Sequence, residues 1–213
     1  MKKAIFISAF ILVSQLSKAQ LDFSNSRIEL AGNYTMYRGD FGQNTPGAKI
    51  RFSVPTGDRF TVGLGFTYSS PIKEASTVSY NPSGSVPSEL VFNFKTISLE
   101  GNYYFGGENE NGFNAYGMGG VSLVLVNYKE NLKGTPPSGG IPIDLVESTS
   151  ENGFTINLGL GAQYSLGRPK IFGEAQIAIP ANQVNGQFVE NVIPGHFIFN
   201  VGIRFALGNR SDY

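Results

Sequence analysis

The sequence predicts an all-β protein, a closed eight-stranded antiparallel up-and-down barrel that crosses a membrane and is preceded by a cleaved signal peptide. Three observations predict this fold. Apolar and polar residues alternate along eight segments with a period of two, the side-chain period of a β-strand. Eight is an even number, as a closed antiparallel barrel requires. The connections are alternately long and short, as in transmembrane barrels with short periplasmic turns and longer external loops.

The clearest segment is the last one, 196–207. Its odd positions are large and apolar, namely Phe197, Phe199, Val201, Ile203, Phe205 and Leu207. Its even positions, which include Asn200 and Arg204, are mostly small or polar. A tilted strand needs about 9–11 residues to cross a bilayer. The segment is therefore long enough to cross, with one face that requires apolar surroundings and one that tolerates an arginine.

The other segments give the predicted order of strands and connections. The strands are predicted over 26–37, 47–54, 59–69, 89–105, 113–128, 153–166, 170–179 and 196–207. The long connections are 38–46, 70–88, 129–152 and 180–195, and the short turns are 55–58, 106–112 and 167–169. The fourth strand changes phase, which predicts a bulge near Lys95-Thr96 or an upper part standing above the membrane. The longest connection predicts a short strand extension over 143–146.

The N-terminus predicts export. Lys2 and Lys3 precede an apolar run, 4–16, that is too short to cross a membrane as a mature helix. Ser17-Lys18-Ala19 places small residues at the two positions that a signal peptidase reads. We therefore expect a signal peptide over 1–19 and an outer-membrane β-barrel domain over 20–213, with a membrane-anchor helix as the alternative.

The composition favours a barrel in lipid. Charged residues make up 15% of the chain, against roughly 25% in soluble domains, and the polar strand faces are mostly Gly, Ser, Thr and Asn. Without the three leader lysines, 13 basic and 16 acidic residues leave the mature chain near −3. This balance argues against nucleic acid or an anionic lipid surface as partners. A secreted soluble barrel with an apolar interior, of the lipocalin type, is the alternative.

The leader ending Ser17-Lys18-Ala19-Gln20, the alternating loop lengths and the closing strand with Phe205 resemble one known family. It comprises the small eight-stranded outer-membrane barrels of the OmpA and OmpX type, in a form common in the Bacteroidetes. The resemblance covers the mature chain. It implies a location in the outer membrane, outer-membrane lipid as surroundings, and insertion by the outer-membrane assembly machinery, which reads an aromatic-ended last strand.

Five charged residues are predicted to face the interior at similar heights, namely Glu29, Arg51, Glu100, Glu174 and Arg204. A charge in a narrow, dry lumen costs several kcal/mol unless it is paired. We expect a structural ion network with Arg204 between Glu29 and Glu174, and with Arg51 between Glu29 and Glu100. An eight-stranded interior is just wide enough for side chains to fill, so no open water channel is expected.

No catalytic, cofactor or metal site is expected. His196 is the only histidine, and a lipid-modifying enzyme would need it beside a serine and an acid. Only the loop residues Ser148 and Glu190 are conceivable partners. Deacylase-type barrels place the serine two residues after the histidine, where this sequence has Ile198. With no cysteine and one isolated histidine, no nitrogen- or sulfur-based metal site is visible.

Aromatic residues near both ends of the strands predict two girdles at the membrane surfaces. The long-loop girdle would contain Tyr34, Tyr37, Phe66, Tyr68, Phe92, Tyr128, Phe154 and Phe197. The short-turn girdle would contain Phe60, Tyr103, Phe105, Phe113, Tyr164 and Phe205.

The predicted function is that of an integral outer-membrane barrel of structural or surface type. A surface binding or adhesion module is the first alternative, because external loops 70–88 and 129–152 would carry any recognition of an unknown ligand. A small-solute, porin-like channel and a lipid-modifying enzyme are the others.

Overall fold

A computed structural model of the chain describes residues 26–38, 43–81, 84–106, 112–182, 184–185 and 192–207. Ten strands lie in these ranges: β1 (Arg27–Tyr37), β2 (Asn44–Pro55), β3 (Phe60–Ser69), β4 (Ile72–Asn81), β5 (Ser85–Tyr104), β6 (Gly112–Leu132), β7 (Ile141–Pro142), β8 (Thr149–Ser165), β9 (Pro169–Pro180) and β10 (His196–Ala206). The predicted signal peptide, Glu190 and the tail after Leu207 lie outside the described residues. No helix among the described residues is long and apolar enough to span a membrane.

Eight of the strands form a closed antiparallel barrel, which confirms the predicted fold class. They follow one another around the wall as β3, β2, β1, β10, β9, β8, β6 and β5, and β5 pairs again with β3. The first and last strands pair over their full length, from Arg27 opposite Ala206 to Tyr37 opposite His196. β4 and β7 are not part of the wall.

The alternation in each barrel strand separates an apolar outer face from an inward face that is mostly polar and becomes apolar towards the long loops. The exposed outer positions include Leu30, Ile50, Leu64, Phe66, Leu99, Val121, Leu158, Leu160, Ile171, Val201, Ile203 and Phe205. The buried interior positions include Glu29, Asn33, Lys49, Arg51, Ser98, Glu100, Asn102, Ser122, Asn157, Gln163, Glu174, Gln176, Asn200 and Arg204. Large apolar side chains outside and polar ones inside are the inverse of a soluble core, so the wall is built for apolar surroundings.

The prediction of a loop over 70–88 is wrong. β4 and the first part of β5 form a long hairpin in which Ile72 lies opposite Phe92 and Ser79 opposite Ser85. Pro, Ser and Gly in the sequence suggested a loop, but Val78, Tyr80 and Val86 alternate with polar residues and are buried together at the tip of this hairpin. Gly84, with φ +127°, provides the positive φ that the turn requires.

The predicted bulge near Lys95-Thr96 is also wrong. β5 and β6 keep one register from Ser88 opposite Leu132 to Tyr104 opposite Tyr116. The even residues of β5 therefore face inward throughout. What changes along the strand is the chemistry of the inward positions, from polar Ser98 to apolar Phe94.

The long connection after β6 is shorter than predicted and is held against the long hairpin. β6 continues to Leu132 and β8 begins at Thr149, so 129–132 and 149–152 are strand rather than loop. The short strand lies at 141–142, where Ile141 pairs with Asn81, and not at the predicted 143–146. The Asp144 carboxylate accepts hydrogen bonds from the Ser79 backbone N–H at 2.7 Å and hydroxyl at 3.1 Å.

Candidate functional site in the barrel interior

The half of the interior towards the short turns contains buried charges on five strands of the barrel. Arg51 lies at its centre, and its guanidinium contacts three carboxylates. Its Nη2 lies 2.5 Å from Glu29 Oε2 and 2.7 Å from Glu174 Oε1, and its Nη1 lies 2.5 Å from Glu100 Oε2. The arginine and the three acids are each at most 5% exposed. The positive charge of Arg51 is therefore shared by three carboxylates, which come from three other strands.

Arg204 is the second cation of this half. Its Nε lies 2.9 Å from Glu29 Oε1, and its Nη2 lies 3.7 Å from Glu174 Oε1. Its Nη1 donates hydrogen bonds to the Tyr104 hydroxyl at 3.0 Å and to the Gln163 side-chain oxygen. The guanidinium carbon lies 4.8 Å from the centre of the Phe172 ring, within the range of a cation–π contact.

A third cation, Lys49, completes the group, which we call the ionic section: Glu29, Lys49, Arg51, Glu100, Glu174 and Arg204. Lys49 Nζ lies 2.7 Å from Glu100 Oε1. Three cations face three carboxylates, so the buried section is formally neutral. The structure thus brings together all five residues named from the sequence, and both arginines contact the predicted acids. Arg51 also contacts Glu174, which the sequence did not indicate. Lys49 was missed although it lies two residues before Arg51 on the same inward face.

Above the ionic section the interior is polar but uncharged. Asn33 donates to the Asn200 side chain at 2.9 Å, and Asn200 donates to Glu174 Oε2 at 3.2 Å. A cavity of about 20 Å³ remains here, and Ser98 and Asn157 are among the residues that line it. A space of this size accommodates roughly one water molecule.

The half of the interior towards the long loops is an apolar core, which we call the apolar cap. It contains Tyr37, Ile72, Phe92, Phe94, Val124, Val126, Tyr128, Val146, Val184, Val192 and Ile193. Four strands supply seven of these residues, and the connections before β8 and β10 supply the other four. Ring centroids lie 4.8 Å apart for Tyr37 and Phe94 and 5.5 Å apart for Phe92 and Tyr128. The described residues of these connections therefore pack inward against the strands at this end.

The apolar cap corrects the predicted long-loop girdle. Tyr37, Phe92 and Tyr128 are at most 8% exposed and face the interior. Tyr34, Phe66, Tyr68 and Phe154 are 42–56% exposed on the outer face, as predicted, while Phe197 is half-buried under the Arg38 guanidinium at 4.2 Å. All six residues of the predicted short-turn girdle are exposed outside.

His196 is a packing residue of the interior. It is buried, its Nδ1 lies 2.9 Å from the Pro194 carbonyl oxygen, and its ring centroid lies 5.1 Å from that of Tyr37. Among the described residues, no hydrogen bond joins it to Ser148, which is exposed. The described residues also contain no group of three His, Cys, Asp or Glu side chains arranged to hold a metal ion.

Comparisons with known proteins bear on the fold. No protein-family model and no curated protein matches the sequence. Neisserial surface protein A matches with a TM-score of 0.55 and 11% identity over 84% of this chain and 96% of that one. A major outer membrane protein from Thermus thermophilus matches with a TM-score of 0.55 and 12% identity, over 85% of this chain and 99% of that one. The fold of this chain is that of the small eight-stranded outer-membrane barrels.

Proposed function

We propose that this chain is an integral outer-membrane barrel of structural or surface type whose lumen is closed by its own side chains. In this proposal it acts without catalysis or a cofactor, and it is exported by the leader at 1–19. Outer-membrane lipid surrounds it, the outer-membrane assembly machinery inserts it, and nucleic acid is not a partner.

The proposal rests on one observation: side chains fill the barrel interior at two levels, and the outer face of the surrounding wall is apolar. The ionic section links five strands across the lumen at contacts of 2.5–3.7 Å. The apolar cap fills the other end with side chains from four strands and two connections. A solute passing through would have to separate buried ion pairs and expel a packed apolar core, and both steps are costly.

Planar-bilayer conductance tests the closure. We expect purified, refolded protein to give no stable single-channel steps. As a matched comparison, we expect Arg51→Ala with Arg204→Ala, which removes both guanidinium groups, to remain closed because the apolar cap is intact. Phe92→Ala with Phe94→Ala, combined with those changes, should conduct. Stable channels in the wild-type protein would contradict the closed lumen and favour the porin-like alternative.

Membrane placement has its own test. We expect the protein to stay in the membrane pellet after carbonate extraction and to leave it only in detergent. Spin labels placed singly at Val201 and Ile203 should report contact with acyl chains, whereas a label at Asn200 should not. Release of the protein without detergent, or labels at Val201 and Ile203 without lipid contact, would identify a soluble barrel instead.

A surface-binding role is the second candidate, and the ordered long hairpin favours it. One structure extends beyond the barrel wall and consists of β4, the upper part of β5 and the connection 133–148. Asp144 joins the connection to β4, and Glu130 joins it to β5. The Glu130 Oε2 accepts from the Val146 backbone N–H at 3.1 Å, and its Oε1 accepts from the Ser88 hydroxyl at 2.5 Å.

Replacing 133–148 by a short glycine–serine connection separates the two candidates. A structural barrel should still fold and insert, and a binder should lose attachment of intact cells to immobilised matrix proteins while its barrel stays folded. Attachment that is unchanged by the replacement, or absent in the wild type, would contradict the binding candidate.

A further inference from the structure

Exposed lysines are concentrated on the outer face of β4, β5 and β6 at the long-loop end. Lys73, Lys95 and Lys129 all face outward here and are exposed; we call these three the lysine patch. Lys133, just beyond β6, is also exposed. The net charge of the chain does not reveal this cluster, because acids elsewhere offset it.

The strand register places Lys95 at the end of the apolar belt, and Lys73 and Lys129 four residues of β5 farther towards the long loops. Lys95 lies opposite Tyr68, one of the aromatic residues at the end of the belt. Lys73 and Lys129 lie on either side of Val91 in adjacent strands. Their backbones are thus about 10 Å apart, two strand spacings, so both ammonium groups are able to approach one phosphate. The lysines point sideways on the outer face of these strands, the face that carries the apolar belt farther down.

Carboxylates compensate only part of the positive charge of these lysines. Glu89 contacts Lys133 at 3.2 Å and Lys73 at 3.6 Å. The hydrogen bond from Lys133 lowers the pKa of the Glu89 carboxyl below its usual value. Within the described residues, neither Lys95 nor Lys129 forms a salt bridge. Glu130, the neighbour of Lys129, points to the opposite face and binds Ser88. The patch is therefore left with an excess of positive charge.

We propose that the lysine patch binds the phosphate groups of anionic lipids in the membrane leaflet at the long-loop end. The inference rests on the proposed placement in a membrane. Aromatic residues with lysines just beyond an apolar belt match the headgroup level of a bilayer. Basic residues at that level attract anionic lipid by about 1 kcal/mol each. The bound group is a lipid phosphate rather than a soluble polyanion, because the lysines point sideways on the same outer face as the apolar belt.

Spin-labelled lipids provide the test. The full barrel is reconstituted in phosphatidylcholine vesicles containing spin-labelled phosphatidylglycerol or spin-labelled phosphatidylcholine, and electron paramagnetic resonance measures the immobilised fraction of each. We expect the wild-type protein to immobilise phosphatidylglycerol more strongly, and salt to weaken this preference. In Lys95→Gln with Lys129→Gln, the two lysines without a carboxylate, the relative association constant should fall about tenfold to thirtyfold.

The matched control removes two positive charges from the other end. Arg59 and Arg168 are exposed near the short turns, and Arg59→Gln with Arg168→Gln should retain most of the preference. An equal loss in both variants, or no preference in the wild-type protein, would overturn the lysine patch while leaving the membrane placement intact. A protein that fails to co-float with the vesicles would overturn the placement and the patch together.

Discussion

The two ends of the barrel interior are filled by side chains that interact in different ways. In the ionic section, six charged side chains compensate one another across the lumen, and each contact depends on the presence of its partner. In the apolar cap, aliphatic and aromatic groups fill space, and no single partner is essential. Removing one member of the ionic section leaves a buried charge without its counterion, whereas removing one member of the cap leaves a cavity.

The two sections also differ in which parts of the chain supply their residues. The ionic section uses residues of the wall strands alone. The apolar cap includes Val146, Val184, Val192 and Ile193 from the connections, so their burial attaches these parts of the connections to the barrel. We expect the ionic section to contribute mainly to barrel stability and the cap mainly to loop order.

The largest expected effect comes from removing the central cation. Arg51→Met leaves Glu29, Glu100 and Glu174 short of one buried counterion and should lower the free energy of unfolding by about 3–5 kcal/mol. Urea titration of the refolded barrel, monitored by circular dichroism, measures this free energy of unfolding. Arg59→Met, an exposed arginine near the first short turn, is the control and should change little. A loss below about 1 kcal/mol in Arg51→Met would show that the section is solvated.

The second prediction concerns the apolar cap. Phe92→Ala removes a fully buried ring and should cost about 3 kcal/mol. Limited proteolysis should then cut within 133–148 faster than in the wild-type protein. Val201→Ala, on the outer face and 73% exposed, is expected to leave the loops protected. Unchanged cleavage in Phe92→Ala would contradict the role of the cap in ordering the loops.

Two adjacent glycines of β6 give a smaller and more selective test. A Cβ on Gly120 would lie 2.3 Å from the Leu99 carbonyl oxygen and 2.9 Å from Glu100 Cα, whereas one on Gly119 would meet Leu158 Cδ2 at an ordinary 3.6 Å. Gly120→Ala should therefore cost about 1–3 kcal/mol through crowding beside the ionic section. Gly119→Ala should stay within about 0.5 kcal/mol in the same urea titration. Equal effects would mean that the space beside Glu100 is not tight.

The smallest expected effect is local. Asp144→Ala removes two hydrogen bonds to Ser79 and should cost about 1 kcal/mol. Hydrogen exchange should accelerate at 79–81 and 141–146 and stay unchanged around Arg204. Asp144→Asn, which keeps one acceptor oxygen, should give an intermediate rate. Faster exchange throughout the barrel would show that the connection stabilises more than its own hairpin.

The barrel itself was predictable because the period-two pattern, the even strand count and the alternating connections are independent signals that agree. The pairing of Glu29 with Arg204 was also predictable from the sequence, because the first and last strands of an up-and-down barrel must pair when the barrel closes. The contact between Arg51 and Glu174 was not, because the two strands are separated around the wall and only the three-dimensional closure brings their side chains together.

The apolar cap could not be predicted from alternation. A period of two identifies which residues share a face, but an apolar face is equally suited to lipid and to a packed interior. Alternation therefore places Phe92 and Tyr128 outside, and it makes the change of chemistry near Lys95 resemble a bulge. The correct assignment needs the continuous register of β5 and β6, since it shows that polar and apolar residues follow one another on the same inward face.

The direct register of Glu29 with Arg204 has a consequence for assembly. These two residues lie on the first and last strands and face each other at the seam. A sheet whose end strands have not yet paired still holds Arg51 beside Glu29 and Glu174 near Arg204, because those partners lie on neighbouring strands, but it lacks the contact between Glu29 and Arg204. Pairing of the end strands therefore adds a buried ion pair to the backbone hydrogen bonds of the seam, and a barrel that lacks either end strand loses both.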